Sequence, residues 1–478
     1  MHQSSAMRKA DWRVQLMPLG ALFLAACSFA PREQTPTVPV VDEFKESGSW
    51  TLARPADRLP RQKWWTIYDD LQLNELQDRL ATGNPTLAAA IANYSLACAL
   101  RDQARAGLFP SVELGAGASR NRESANAPLR GATTPTYYDN YSLGGELAYE
   151  FDLWGRIRNQ VAAGNATVEA TAADLENVRL SLAAQLMDSY IQLRSLDRTA
   201  AILDDTVQAY SRALELTEQR HDAGIVPGLD VAQAQTQLEV AQSQVAQTAA
   251  RRALTEHAIA ALLGVTASGF TVPVDTTEIR LPHIPVGVPS TLLERRPDIA
   301  AAQRRLFAAN ANIGVARAAY FPSLTLGGQG GYQSSAVGNW LTAPSSYWAF
   351  GPNLLLTVFD GGLRRAQVAQ ARAEFDISSA NYRTVVIGAF QQVEDNLASL
   401  NHYGDAAQRE VAAVAAAQRA LSLSMALYKN GAVDYLNVIT AQTTLLQTQL
   451  QGLELETLEL AASVGLIRAL GGGWQQSS

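Results

Sequence analysis

Cysteine and histidine are scarce in this 478-residue chain, with 2 and 5 copies, too little ligand chemistry for a zinc cluster or a disulfide framework. Positive charge is not in excess either. Lys and Arg number 38 against 45 Asp and Glu, net −7, which argues against a nucleic-acid partner, because that role needs a basic face to release counterions. Past the first 26 residues no unbroken run of about 18 apolar residues occurs, so no helix is expected to cross a bilayer. With 33 Gly, 19 Pro and 47% hydrophobic residues, the composition is neither fibrous nor disordered.

What is present begins with an export signal. Arg8, Lys9 and Arg13 precede a short apolar stretch at 16–26, and Leu24-Ala25-Ala26-Cys27 places small residues directly before a cysteine. The run resembles the lipobox of bacterial lipoproteins. That resemblance implies cleavage after residue 26, a lipid (diacylglycerol and palmitate) on Cys27, and, with Ser28 following rather than Asp, delivery to the outer membrane. No cofactor or metal is expected besides this covalent lipid. Loss of residues 1–26 removes three basic residues and one acidic one, so the mature charge is −9. Cys98, between Ala97 and Ala99, reads as a small packed helix residue.

The mature chain is one unit written twice. Asn84-Pro85-Thr86-Leu87 returns as Arg296-Pro297-Asp298-Ile299, and Leu108-Phe109-Pro110-Ser111 as Tyr320-Phe321-Pro322-Ser323, both 212 residues on. Gly224, Val226, Leu229, Val231, Ala234, Gln235 and Leu238 return 207 residues on as Gly431, Val433, Leu436, Val438, Ala441, Gln442 and Leu445. Phe151-Asp152 is answered by Phe359-Asp360, and the offset changes only across loops, where length is tolerated. Six segments follow: a signal peptide at 1–26, an N-terminal segment at 27–84, a first repeat at 85–264, a connector at 265–296, a second repeat at 297–470 and a tail at 471–478.

Each repeat predicts a helix, two strands, a long helix, a turn and a return helix. Helices start at Pro85 and Pro297, since proline suits a first helical turn, and run to Ala106 and about Ala319, interrupted only by Gly314. Val161, Val168, Leu175, Leu182, Leu196, Leu203 and Tyr210 recur at multiples of seven, as do Val386, Val393, Leu400, Ala407, Val414, Leu421 and Tyr428. Helices of about 67 residues, some 100 Å long, cannot sit in a compact globule. An extended intermolecular coiled coil remains open on this pattern alone.

Strands are predicted at 111–121, 141–151, 323–333 and 347–359. Val112, Leu114, Ala116 and Ala118 share one face, as do Tyr141, Leu143, Leu147, Tyr149 and Phe151; Leu324, Leu326 and Tyr332; and Trp348, Phe350, Leu354, Leu356 and Val358. The opposite face carries Glu113, Glu146, Glu150, Gln329 and glycines. Tyr141, Tyr149, Tyr332, Tyr347 and Trp348 stand where an aromatic girdle would. Strand by strand, a soluble sheet with one buried face fits equally well, and the export signal favours a barrel. Four strands cannot close one, and open edges in lipid leave backbone groups unpaired, so chains must share it. Three chains give about twelve strands, enough to leave a channel.

These motifs resemble the TolC family of outer-membrane efflux channels, in its OprM/NodT lipoprotein branch. The residues carrying the resemblance are Trp64-Trp65 with Tyr68-Asp69-Asp70-Leu71, Asn84-Pro85-Thr86-Leu87, Tyr149-Glu150-Phe151-Asp152-Leu153-Trp154-Gly155-Arg156, and Leu293-Glu294-Arg295-Arg296-Pro297-Asp298-Ile299. The resemblance implies an α+β membrane protein: a trimeric twelve-stranded transmembrane β-barrel, continued by a twelve-helix periplasmic α-barrel with an equatorial belt from 27–84, 265–296 and the tail. It implies the outer-membrane component of a tripartite multidrug efflux or secretion system in a Gram-negative bacterium, a passive conduit working with a periplasmic adaptor and an inner-membrane transporter of the RND type. A lipid-anchored coiled-coil scaffold or adhesin is the competing reading.

Catalytic chemistry is not expected. His2, His221, His257, His283 and His402 lack metal-ligand spacing, and Gly327-Gly328-Gln329-Gly330-Gly331 lacks the Lys-Ser/Thr ending of a phosphate loop. The expected functional residues lie where the long helices turn back. Gly224 and Gly431 suit left-handed helix caps, and Asp230 or Asp434 can start the return helices. Val226, Leu229, Val433 and Leu436 are apolar beside exposed turns, which invites a partner. By resemblance, Gly224, Val226, Leu229, Asp230, Gly431 and Val433 form the tip that docks the adaptor. Tyr428, Leu436 and Thr440 match constriction positions, with Thr440 where an acidic residue is common.

Overall fold

The computed structural model describes residues 29–32, 35–37, 44–46, 63–126, 131, 133, 135–282, 284 and 295–472. The signal segment, Cys27, His2, His283 and 473–478 lie outside the described residues. The elements are α1 (Leu71–Gly83), α2 (Pro85–Ala106), β1 (Ser111–Arg122), β2 (Tyr137–Phe151), α3 (Arg156–Asp222), α4 (Gly228–Leu262), α5 (Pro297–Ala318), β3 (Ser323–Ser334), β4 (Ser346–Leu355), α6 (Leu363–Lys429) and α7 (Tyr435–Ala469). The duplication is plain: α3 and α6 each have 67 residues, and α4 and α7 each have 35.

The described residues form two units. The first takes 95–170 and 302–381 with the start of the chain, and holds one antiparallel sheet in the order β1-β2-β3-β4. Its two outer strands each keep a free edge, and Pro352, which cannot donate to a ladder, lies in one of them, β4. Asp152 and Asp360, the repeated residues after β2 and β4, cap the long helices. Asp152 accepts from the Ile157 and Arg158 backbone N–H groups at 3.1 and 2.8 Å, and Asp360 accepts from Gly362 and Arg364 at 3.0 and 3.2 Å.

The second unit takes 37–94, 171–301 and 382–478 and holds the larger core. Leu73, Leu76, Leu80, Leu186, Met187, Tyr190, Val464, Leu466 and Ile467 are all buried there. Two motifs singled out in the sequence find their reasons here. Asp70 caps α1 by accepting from Leu73 N–H (2.9 Å) and also accepts from the Tyr190 hydroxyl (2.8 Å), while Tyr68 shares a 2.7 Å hydrogen bond with Ser463. Asn84 accepts from Leu87 N–H (2.9 Å) and donates to the Leu262 carbonyl (2.7 Å), tying the start of α2 to the end of α4. The connector is stapled down by arginines. Arg194 pairs with Asp275 and donates to Thr277 O, and Arg252 pairs with buried Asp197 while donating to Val272 O.

Several boundaries differ from expectation. The strand expected at 141–151 starts at Tyr137, and the one expected at 347–359 ends at Leu355, so Leu356, Val358 and Phe359 lie outside it. Helix α1 was not anticipated within 27–84, although Asp70 caps it and Leu73, Leu76 and Leu80 recur at helical spacing as its buried face. One helix among the described residues is long and apolar enough to cross a bilayer by length and composition alone, although it holds no unbroken run of 18 apolar residues. An 18-residue window of α6 qualifies by length and composition, since its alanines count as apolar while allowing close helix packing.

Candidate functional site

The sheet sorts the sequence into two faces. Its register pairs Val112 with Leu147, Phe151 with Leu324, and Leu324 with Leu354, so the apolar sets of all four strands fall on one side. The other side carries a transverse row in which Glu113 pairs with Glu146, Glu146 with Gln329, and Gln329 with Ala349. Trp348, Phe350 and Leu354 are 82%, 65% and 65% exposed in the single chain, an apolar surface that water does not favour. Tyr347 departs from the expected girdle. Pairing with Gly331 puts it on the polar face, where its hydroxyl lies over Gly144 and leaves no room for a Cβ. The glycine run of β3 is used in the same way on the apolar face, where the Phe350 ring covers Gly328.

In the second unit both long helices end in the same cap. Ile225 N–H donates to Arg220 O and Gly224 N–H to His221 O, at 2.9 and 2.8 Å; Ala432 donates to Leu427 O and Gly431 to Tyr428 O, both at 2.9 Å. Gly224 has φ +72° and Gly431 +73°, the left-handed region that glycine enters without penalty. The capping expectation for the return helices is revised. Asp230 sits in the first turn of α4 behind Pro227, and Asp434 occupies the N-cap position of α7 without a side-chain cap bond. The Asp230 carboxyl is pushed up from its ordinary value by partial burial and next by the charge of Asp434.

The two turns are held together by Arg220, which sequence reasoning missed. Its guanidinium donates to the carbonyl oxygens of Tyr428 and Lys429, both at 3.0 Å, and lies 4.8 Å from the Tyr428 ring centroid. The signal that could have flagged it is a break in the repeat: 207 residues on stands Leu427. Below the turns Tyr428 packs against Tyr435 (5.2 Å) with Ala234 and Val438. Tyr428, expected at the constriction, thus packs into this small core within the single chain. It is 1% exposed, because its place in the α6 heptad turns it into the hairpin pair. Leu436 (60% exposed) and Thr440, one turn apart, remain on an open stripe, and Ile225 and Leu229 are 62% and 64% exposed at the other turn. Val226 and Val433 are half-buried.

A four-stranded sheet with an apolar outer face, joined to paired long helices that turn back at glycines, defines an outer-membrane channel of the efflux type. The chain belongs to the outer membrane efflux protein family, which matches residues 76–265 and 288–472. It is 30% identical to the toluene efflux pump outer membrane protein TtgC of Pseudomonas putida over 460 residues, 96% of this chain and 95% of that one. The pyoverdine export outer membrane protein OpmQ of the same species is 33% identical over 471 residues, 97% of this chain and 98% of that one. The solved outer-membrane channel OprN superposes with a TM-score of 0.87 at 31% identity, covering 94% of this chain and all of that one. The fold class is thus a trimeric barrel to which each chain gives four strands, and the protein is an efflux channel of the Gram-negative outer membrane. The scaffold reading falls with it.

Proposed function

We propose that this channel is the exit duct of a tripartite export assembly. Three copies close the barrel, the paired turns at Gly224 and Gly431 meet the helical hairpins of a periplasmic adaptor, and an RND-type inner-membrane transporter loads the duct. The observation that carries the docking surface is the pair of caps bridged by Arg220, with Ile225, Leu229 and Leu436 exposed beside them. Exposed apolar residues at a turn gain by burial against a partner. Gly224, Val226, Leu229, Asp230, Gly431 and Val433 form this surface, and Leu436 with Thr440 forms the constriction, which Tyr428 supports from behind.

The duct discriminates little among cargoes. Relatives named for toluene and for pyoverdine support a cargo choice made upstream, by the transporter. Cys27 carries the lipid anchor, which adds about 0.8 kcal/mol per buried CH₂ to the barrel's own insertion. Deletion of the chain in its own host tests the reading through accumulation of small amphipathic dyes. Raised accumulation, restored by the full chain but not by a chain whose paired turns are excised, is the expected result. Unchanged accumulation would contradict an export role.

A further inference from the structure

The first unit holds a groove along α5 that neither the duct nor the tip explains. Arg317 donates to the Phe29 carbonyl (3.1 Å), Asn310 to the Pro31 carbonyl (2.9 Å) and Gln303 to the Thr35 hydroxyl (3.3 Å). These anchors recur every seven residues on one helix face, so the start of the mature chain runs antiparallel to α5. Gly314 lies among them, the one glycine in this helix. A Cβ there would come within 2.7 Å of Asn159 Nδ2 and 2.8 Å of Ala30 N, so the close approach of the leader together with Asn159 of α3 accounts for a residue that costs roughly 1 kcal/mol in helix propensity.

At the head of the groove Phe29 is clamped. Its ring stacks on Phe321 at 4.5 Å and 8°, Phe321 stacks on Trp154 at 4.8 Å, and the Trp154 indole N–H is fixed by the Pro322 carbonyl at 2.7 Å. Trp154 follows the end of β2, and Phe321 precedes the start of β3, at the point where Phe151 and Leu324 pair. The clamp therefore stands at the rim of the sheet, and it includes Trp154, a residue type that settles at a membrane interface.

We propose that the Phe29–Phe321–Trp154 clamp is a seat for the mature N-terminus that sets the lipid of Cys27 at the barrel rim. Only Ser28 separates Cys27 from Phe29, a reach of at most about 7 Å over two residue steps, so a seated Phe29 delivers the acyl chains to the leaflet beside the strand ends. The inference rests on the acylation of Cys27 proposed above.

A single nitroxide at Arg32→Cys, in a Cys98→Ala background of the full chain in detergent, reports the seat, and mass spectrometry of the N-terminal peptide reports the lipid separately. The label should be immobilised in the otherwise unaltered chain. It should become mobile in Phe29→Ala and in Gly314→Leu, whose side chain would take the space held by Ala30 and Asn159, and stay immobilised in Phe29→Trp, all with Cys27 acylated and the trimer intact. A label that stays immobile in both Phe29→Ala and Gly314→Leu, or is mobile before either change, would overturn the seat while leaving acylation standing. An immobilised label on an unacylated N-terminus would overturn the lipid assignment instead.

Discussion

The Arg220 guanidinium lies over the ring of Tyr428 and donates to that residue's own carbonyl, so the end of α6 is capped by a side chain from α3. Such a bond fastens one hairpin to the other. Hydrogen bonds to a charged group contribute about 1.5–3 kcal/mol, less where solvent reaches them, and each 1.4 kcal/mol is about tenfold in an equilibrium. Arg220→Ala should therefore loosen the tip by up to about tenfold and raise single-channel conductance in planar bilayers. Arg220→Lys should restore little, since a lone ammonium replaces a planar fork that reaches two carbonyls and stacks on a ring. Unchanged conductance in both variants would show that the Arg220 bridge does not hold the tip.

Acid should tighten the same region. The Asp230 carboxyl is raised by partial burial and next by Asp434, against a smaller lowering by Arg220, so the paired turns as described bind its proton more readily than a solvated carboxylate does. A raised carboxyl stabilises this paired arrangement of the turns as pH falls through its folded value, and that contribution is lost as pH rises above it. Conductance should fall as pH drops toward the ordinary aspartate range of about 4, and the fall should be smaller in Asp434→Asn. A pH response identical in the two proteins would exclude this coupling.

Leu436→Ala should conduct more than the unaltered channel, because the truncation removes apolar bulk from the exposed stripe it shares with Thr440. Gly224→Asp and Gly431→Asp place a β-carbon at left-handed positions, at about 1–2 kcal/mol each, and a charge on the docking surface. Both should assemble as trimers and lose export. Full export from both, in cells containing equal amounts of channel, would detach the turns from docking.

Much of this was legible because the sequence is written twice. The constant offset of 207 located both helix turns, and Gly224 and Gly431 adopt the same cap to within 1° of φ. Period two sorted the strand residues, and the register places nearly all of them as read; Tyr347 went astray because an aromatic ring over glycine serves the polar face as well as a girdle. Helix α1 was legible in the Asp70 cap and the Leu73, Leu76, Leu80 stripe but has no copy at the repeat offset, and only the structure shows Tyr190 and Ser463 holding its entry. Arg220 and Phe29 were missed for the opposite reason. Arg220 has no copy in the other repeat and Phe29 lies outside both repeats, so a search for recurrence passes over them.

The polar face of the sheet yields an electrical prediction. Glu113 and Glu146 are directly paired across β1 and β2, and three chains would set three such pairs around the lumen. The mature charge of −9 adds to the same bias. Glu113→Gln with Glu146→Gln should lower the preference for potassium over chloride, measured as a shift in reversal potential under a salt gradient. An unaltered channel already selective for anions would contradict the placement of these carboxylates in the lumen.

Native mass spectrometry of the full chain, extracted from outer membranes in mild detergent, weighs the assembled particle directly. Four strands with two free edges require shared closure, and only about twelve strands leave a passage. A single species of three chains, each beginning at an acylated Cys27, is the predicted result. A monomer, or a dimer with eight strands and no room for a lumen, would contradict the channel described here.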